Sequence, residues 1–333
     1  MKSIMLCGDP GTPERVYAPE TLEQLYEIAD LDRRFYGKAD VLNNPEEFKN
    51  VEYVFSTWGM PIFSEEEIRR VFPRLKCVFY AAGSVQAFAR PFLNCGIRVF
   101  SAWAANGVPV AEYTVSQIIL ANKGFFASAR HMSSGDVRRA NEIKEKYPGN
   151  YGASVGIIGA GMIGKMVIRM LKGYNLRVKT FDPFLSDEQA LELEVEKCGL
   201  EELFSTCQTV SNHLANNPQT VGMLDGHLFR SMLPYATFLN TGRGAQVVED
   251  DLVQVLTERP DITAILDVTF PEPPEEGHAF YRLANCILTP HIAGSSGDEV
   301  CRMAKYMAEE YKLCVAGKPC RYEVSLKMLE TMA

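Results

Sequence analysis

From one end of the chain to the other, short apolar, β-branched runs alternate with segments long enough for a helix, and few folds accept that pattern. A first series is SIMLCG (3–8), VEYVFST (51–57), LKCVFYAAG (75–83) and IRVFSA (97–102). A second is SVGIIGAG (154–161), LRVKTFD (176–182), TVSNHL (209–214), ATFLNT (236–241), TAILDV (263–268) and CILTP (286–290). Strands this continuously apolar have no wet face, so they belong in parallel sheets covered by helices on both sides. Right-handed crossovers then make such sheets doubly wound. The chain is expected to be α/β, with two doubly wound parallel-sheet domains.

Two domains also suit a length of 333 residues, which exceeds one ordinary core. Residues 103–153 separate the two series. They open with VPVAEYTVSQIILANKGFFASAR, apolar at helical spacing, and turn polar in HMSSGDVRRANEIKEKYPGNYG. That reads as a long connecting helix and then a surface segment. From Asp298 to Val315 a further amphipathic helix is expected, ended by Gly317 and Pro319. With no strand after it, it should return to pack on the first domain.

The net charge of −8, with no run of Lys or Arg, excludes a general nucleic-acid binder. No stretch approaches the roughly 18 apolar residues of a membrane span, and the start MKSIMLCGDP lacks the features of a signal peptide. A cytoplasmic location is the expectation. The nine cysteines include no CxxC pair and no Cys/His cluster, so buried, reduced thiols and no metal site are expected.

Gly159-Ala160-Gly161-Met162-Ile163-Gly164 follows a strand and opens a helix. Glycines also mark ordinary tight turns, but here a second strand ends on Asp182, 18 residues beyond Gly164. That context fits a dinucleotide site. Gly159 allows the turn, Gly161 lets backbone approach a pyrophosphate, and Gly164 lets helix pack on strand. The helix N-terminus, with Met162 and Ile163, offers free N–H groups and partial positive charge to phosphates. Asp182 would accept hydrogen bonds from ribose hydroxyls and repel a 2′-phosphate, which favours NAD over NADP; its plainer reading is the start of a turn before Pro183.

LNTGRG (239–244), DVTFPEP (267–273) and TPHIAG (289–294) sit where strands of the second sheet should end, the edge at which open parallel sheets bind ligands. Singly, Arg243 reads as a surface cation, Glu272 as a solvated loop acid and His291 as a structural histidine. Their order and context carry more. With GIIGAGMIG, Asp182, VSNHLANNPQT, FLNTGRGAQVVEDDLVQVL, LDVTFPEP and ILTPHIAG in sequence, the chain resembles the D-isomer-specific 2-hydroxyacid dehydrogenases over most of its length.

The resemblance implies a Rossmann cofactor domain (105–295) inserted in a flavodoxin-like substrate domain (1–104 plus 296–333). It implies that Arg243 binds the substrate carboxylate and polarises its 2-keto oxygen, and that Glu272 partners His291. Asp267 would hydrogen-bond the nicotinamide carboxamide, and Thr241 would join the cofactor contacts. The chemistry explains the residue types. Oxidising an alcohol removes a hydride from carbon and a proton from oxygen, and a histidine with an ordinary pKa of about 6.5 suits the proton. An Arg offers a carboxylate a planar fork that Lys lacks. The formate-oxidising branch replaces the acid with Gln, which Glu272 argues against.

On the substrate side, the resemblance assigns carboxylate binding to the turn Ala82-Gly83-Ser84. Trp58 and Met60 are expected to line the pocket for the variable group, with core packing of Trp58 the competing reading. Departures from the family pattern are Ala215 and Asn217, where Pro and Thr are frequent, and the lack of a Trp in 131–152. The first hundred residues match weakly. A homodimer through the cofactor domain, with the helix starting near Val108 as a candidate contact, and domain closure about 103–106 and 294–297 are further expectations. Feedback through an additional C-terminal domain is not expected. The competing function is an NAD(H)-sensing regulator of the same fold, which need not keep Arg, Glu and His together.

Overall fold

The computed structural model describes residues 2–330; residue 1 and residues 331–333, the ends of the expected substrate domain, lie outside the described residues. The chain divides into two compact units, Met1–Gly107 with Ser295–Ala333, and Val108–Gly294.

In the first unit the strands are β1 (Ser3–Leu6), β2 (Leu31–Tyr36), β3 (Tyr53–Ser56), β4 (Cys77–Tyr80) and β5 (Arg98–Ser101). A last strand, β13 (Glu323–Val324), completes a sheet of order β13-β5-β4-β3-β1-β2. All pairings are parallel except β13 with β5. The order reverses between β1 and β3, the flavodoxin-like arrangement.

The second unit holds β6 (Ser154–Ile158), β7 (Arg177–Phe181), β8 (Glu196–Lys197), β9 (Thr209–Asn212), β10 (Thr237–Asn240), β11 (Thr263–Leu266) and β12 (Cys286–Leu288). Its order is β12-β11-β10-β9-β6-β7-β8, parallel throughout, and it reverses between β6 and β9. That is the Rossmann order, extended by one strand. The two doubly wound α/β sheets follow from the apolar runs: β1, β4, β9, β10 and β11 are buried along their whole length.

Three expectations need correction. A strand does follow the C-terminal helix: β13 lies antiparallel on β5. It is two residues long and carries no apolar run, so only tertiary pairing defines it. The expected long helix ends at Asn122, because Gly124 takes a left-handed φ of +67°, and a new helix runs over Phe125–Ser133. The expected surface segment contains another helix, Val137–Lys144, capped by Asp136, whose side chain accepts the Arg139 N–H. Two edge strands also escape an apolar search: β2, buried at its ends but exposed at Arg33 and Arg34, and the exposed β8.

The core of the first unit explains the return of its last helix, Cys301–Val315. Phe55, Phe79 and Phe100 stack across β3, β4 and β5, and Tyr311 of the helix packs on Phe55 and Phe79. All nine cysteines are free, and only Cys7, Cys77 and Cys207 are fully buried. Among the described residues no helix is long and apolar enough to cross a membrane, and no cluster of His, Cys, Asp and Glu would hold a metal.

Candidate active site

In the second unit, the register aligns Ile158, Asn212, Asn240, Leu266 and Leu288 across the sheet, so the segments after β6, β9, β10, β11 and β12 leave from one edge. The glycine turn leaves β6 beside the topological switch. Gly159 has a φ of +89°, and a Cβ there would lie 2.8 Å from the His213 carbonyl oxygen. A Cβ on Gly164 would run into the Gly159 carbonyl. Both positions therefore demand glycine.

Gly161 differs: a Cβ there would meet nothing within 4 Å. It precedes the helix Met162–Leu171, whose N-terminus has no side-chain cap. The N–H groups of Met162, Ile163 and Gly164 find no acceptor among the described residues. Open space over a bare helix N-terminus fits a pyrophosphate. Asp182, after β7, accepts the Ala160 N–H at 2.7 Å and the Phe184 N–H at 2.7 Å. It thus holds both the glycine turn and its own, and each oxygen retains a lone pair for a ribose hydroxyl. The residues present fit a dinucleotide.

After β11, Asp267 is 2% exposed. Its carboxylate accepts the Thr289 hydroxyl at 2.6 Å, the Ile292 N–H at 2.8 Å and the Ala293 N–H at 2.9 Å. Its carbonyl takes the His291 N–H at 3.1 Å. His291 sits in this clamp with a φ of +54°, a left-handed conformation that costs a β-carbon residue about 1–3 kcal/mol. The surrounding bonds hold it there. The ring Nδ1 lies 2.6 Å from Glu272 Oε1, and both side chains are half-exposed. An ionised carboxylate only accepts, so Nδ1–H donates and Nε2 is left for another partner.

Arg243 follows β10 and is half-buried; burial lowers its guanidinium below the ordinary value, and the negative charge of Glu272 opposes that shift. Its Nη1 donates to the Gly242 carbonyl at 2.8 Å. The main chain at Arg243 is fixed by groups that sequence reasoning missed. Gln246, fully buried, accepts the Arg243 N–H and the Asn212 amide, and donates to the Leu214 and Ala215 carbonyls. Asn240 donates to the Arg243 carbonyl at 3.1 Å and accepts the Gly242 N–H at 3.0 Å. Every amide hydrogen of Gln246 is used, so this network rigidifies the turn. The signal lay in the polar residues at the ends of β9 and β10, which an apolar search passes over. Thr241 is buried, with its hydroxyl 3.3 Å from that of Thr114. His213, beside the glycine turn, lies 2.9 Å from the Ser211 hydroxyl, and burial lowers its ring to about 4, so it is neutral at pH 7. Arg243, Glu272 and His291 are thus brought together at one sheet edge.

In the first unit, Ser101 donates from its hydroxyl to the Ala82 and Gly83 carbonyls, while the Gly83 and Ser84 N–H groups find no acceptor among the described residues. Trp58 is part-buried against the core, with the Arg15 guanidinium 5.9 Å from its ring, and Met60 is buried.

Residues 115–293 match the family described as "D-isomer specific 2-hydroxyacid dehydrogenase, NAD binding domain". A putative 2-hydroxyacid dehydrogenase, YoaD, of Bacillus subtilis is 34% identical over 205 residues, 60% of this chain and 59% of that protein. D-3-phosphoglycerate dehydrogenase of Archaeoglobus fulgidus is 27% identical over 239 residues, 71% of this chain and 44% of that protein. The matched part thus spans less than two thirds of either relative. Among solved structures, a phosphoglycerate oxidoreductase from Rhizobium etli superposes with a TM-score of 0.80 at 21% identity, covering 98% of this chain and 99% of that one.

Proposed function

The chain belongs to the D-isomer-specific 2-hydroxyacid dehydrogenase family, with residues 115–293 in its NAD-binding domain, and from that premise we propose that it interconverts a small 2-hydroxy acid and its 2-keto acid. The observation that carries the reading is the 2.6 Å pair of His291 and Glu272 beside the half-buried Arg243. NAD, when bound, supplies and takes back the hydride. In the reducing direction His291 Nε2 gives its proton to the carbonyl oxygen, and in the oxidising direction it takes the hydroxyl proton. Glu272 accepts the Nδ1–H and so orients the ring, leaving Nε2 toward the substrate. Arg243 binds the substrate carboxylate and draws electrons toward the 2-keto oxygen; partial burial strengthens that pull.

The cofactor contacts in this proposal are Gly159, Gly161, Met162, Ile163 and Gly164 to the pyrophosphate and Asp182 to the ribose, with Thr241 and Asp267 toward the nicotinamide. Three of the four lone-pair sites of Asp267 already serve its own unit, which leaves one for the carboxamide. Residues 105–295 form the cofactor domain, and residues 1–104 with 296–333 recognise substrate. There the free N–H groups of Gly83 and Ser84 bind the carboxylate, and Trp58 faces the variable group. The active species is a cytoplasmic homodimer.

The test is NADH absorbance with a panel of 2-keto acids, from glyoxylate to bulkier aliphatic and aromatic acids. Turnover with at least one is expected. His291→Ala and Arg243→Ala should each lower kcat/KM by about 10²–10⁴, and Trp58→Ala should reorder the substrates. Retained turnover in the His291 variant sinks the mechanism. Tight NADH binding with no turnover on any acid favours an NAD(H) sensor.

A further inference from the structure

Glu249 opens the helix Glu249–Glu258, six residues beyond Arg243. Glu249 Oε1 accepts the Phe270 N–H at 2.8 Å. Phe270 lies two residues before Glu272, in the loop that leaves β11. The same loop is pressed from another side, since a Cβ on Gly244, next to Arg243, would collide with the Thr269 carbonyl and the Phe270 nitrogen. Thr269 adds an internal tie from its hydroxyl to the Pro271 carbonyl at 2.9 Å. The loop bearing Glu272 is therefore gripped between the Arg243–Gly244 turn and the Glu249 carboxylate.

From this geometry we propose that Glu249 is a positioning residue: by accepting the Phe270 N–H it sets the loop that delivers Glu272 to His291. The inference rests on the dehydrogenase reading for its functional consequence, and on the hydrogen bond for its structural one. Without the acceptor, Phe270 N–H turns to water, and Glu272 loses the anchor that sets its distance from the imidazole. The distance matters, because a proton-transfer residue misplaced by about 1 Å loses rate while binding is kept.

The protonation state of Glu249 sets how strongly it grips. Burial raises its carboxyl to about 7, although the bond from Phe270 pulls the other way, and Asp250 on its own helix adds to the rise. From β12 it is faced by Cys286, whose thiol is pushed up to about 12, first by burial and then by the charge of Glu249. No cation among the described residues is paired with it. The ionised form is the stronger acceptor, since hydrogen bonds to a charged group are the shorter and stronger ones. The sign follows: because the folded carboxyl titrates above its ordinary value, ionising it costs the fold stability as pH rises from about 4.5 to about 7. In the same interval the loop is gripped more firmly. Stability and positioning thus move in opposite directions with pH.

The experiment compares wild type, E249A and E249Q as full-length proteins. Hydrogen exchange followed by mass spectrometry, without cofactor, reads the peptide over residues 268–275. At pH 8 its exchange should rise at least tenfold in E249A and by clearly less in E249Q, whose neutral amide oxygen still accepts. In keto-acid reduction, kcat should fall at least tenfold in E249A with KM for NADH within twofold, and E249Q should recover most of it. The loss of wild-type rate as pH drops below 7 should flatten in E249Q, and the melting temperature of E249Q should exceed wild type at pH 8 but not at pH 5. Unchanged exchange in E249A, or an E249Q as impaired as E249A, overturns the proposal. If E249A does not fold, E249Q decides alone through its pH profile and melting shift. Absence of turnover in wild type, with the exchange result as expected, would instead remove the dehydrogenase reading and leave the positioning role.

Discussion

Asp267 shows how much one buried carboxylate does at this edge. The resemblance assigns it to the nicotinamide, yet its oxygens first serve the protein, holding Thr289 and the main chain at Ile292 and Ala293. Those bonds bend the chain so that His291 can take its left-handed φ. Asp267→Asn keeps one oxygen but turns an amide N–H toward the Ala293 N–H, which leaves a buried donor unpaired. Loss of such a partner costs about 1–3 kcal/mol. Urea denaturation of the protein without NADH should therefore show Asp267→Asn less stable by about that amount. Unchanged stability would mean that the carboxylate serves only the ligand. None of this was legible in the sequence, where Asp267 and Ala293 stand 26 residues apart and the apolar strand pattern is silent about polar clamps. His291 and Glu272 were legible because their neighbours form ordered motifs. Gln246 and Glu249 lie inside such a motif, yet the spacing of residues does not say which carbonyl or N–H a side chain will meet.

At the level of elements, the last helix of the first unit depends on one face of the sheet. Tyr311 packs on Tyr53, Phe55 and Phe79 and donates from its hydroxyl to the Ile28 carbonyl at 3.2 Å. Just before it, Glu310 is 1% exposed and accepts the Arg321 and Tyr322 N–H groups, tying the helix to the segment that leads into β13. Emptying an aromatic site of this kind costs about 3–5 kcal/mol, through lost transfer energy and the cavity left behind. Tyr311→Ala should lose that much in denaturant unfolding, whereas Tyr311→Phe, which gives up only a hydrogen bond, should lose about 1 kcal/mol. A loss under about 1 kcal/mol in the alanine variant would show that the helix is held elsewhere. The sheets themselves were readable, since β4 is apolar throughout and β10 is apolar between its two polar ends. Edges were not. β2 reads as polar because its middle faces solvent, and β13 exists only because β5 offers it an edge. The break at Gly124 was also hidden: the apolar spacing runs straight through it, while the Tyr147 ring occupies the space a Cβ would need.

For the molecule as a whole, the proposed homodimer makes a physical demand on the second unit. Leu120, Phe125, Met132 and Val137 are all exposed large apolar residues, and they lie on three consecutive helices, Trp103–Asn122, Phe125–Ser133 and Val137–Lys144. Large apolar side chains exposed on consecutive helices gain by being covered by a partner. A second copy related by a two-fold axis would cover the same side chains on both chains at once. Opposing this is the charge of −8 on each chain, which must repel its partner. At physiological salt the screening length is about 8 Å, so repulsion between distant surface charges is largely removed, while burial of the apolar side chains is not weakened. Sedimentation equilibrium should therefore give a mass twice that of the chain at physiological salt, with the dimer loosening as salt is lowered. Phe125→Glu, which places a charge at one of these exposed apolar positions, should yield monomer at the same concentration and salt. A monomeric wild type refutes the homodimer, and a Phe125→Glu variant that still dimerises moves the contact to another face.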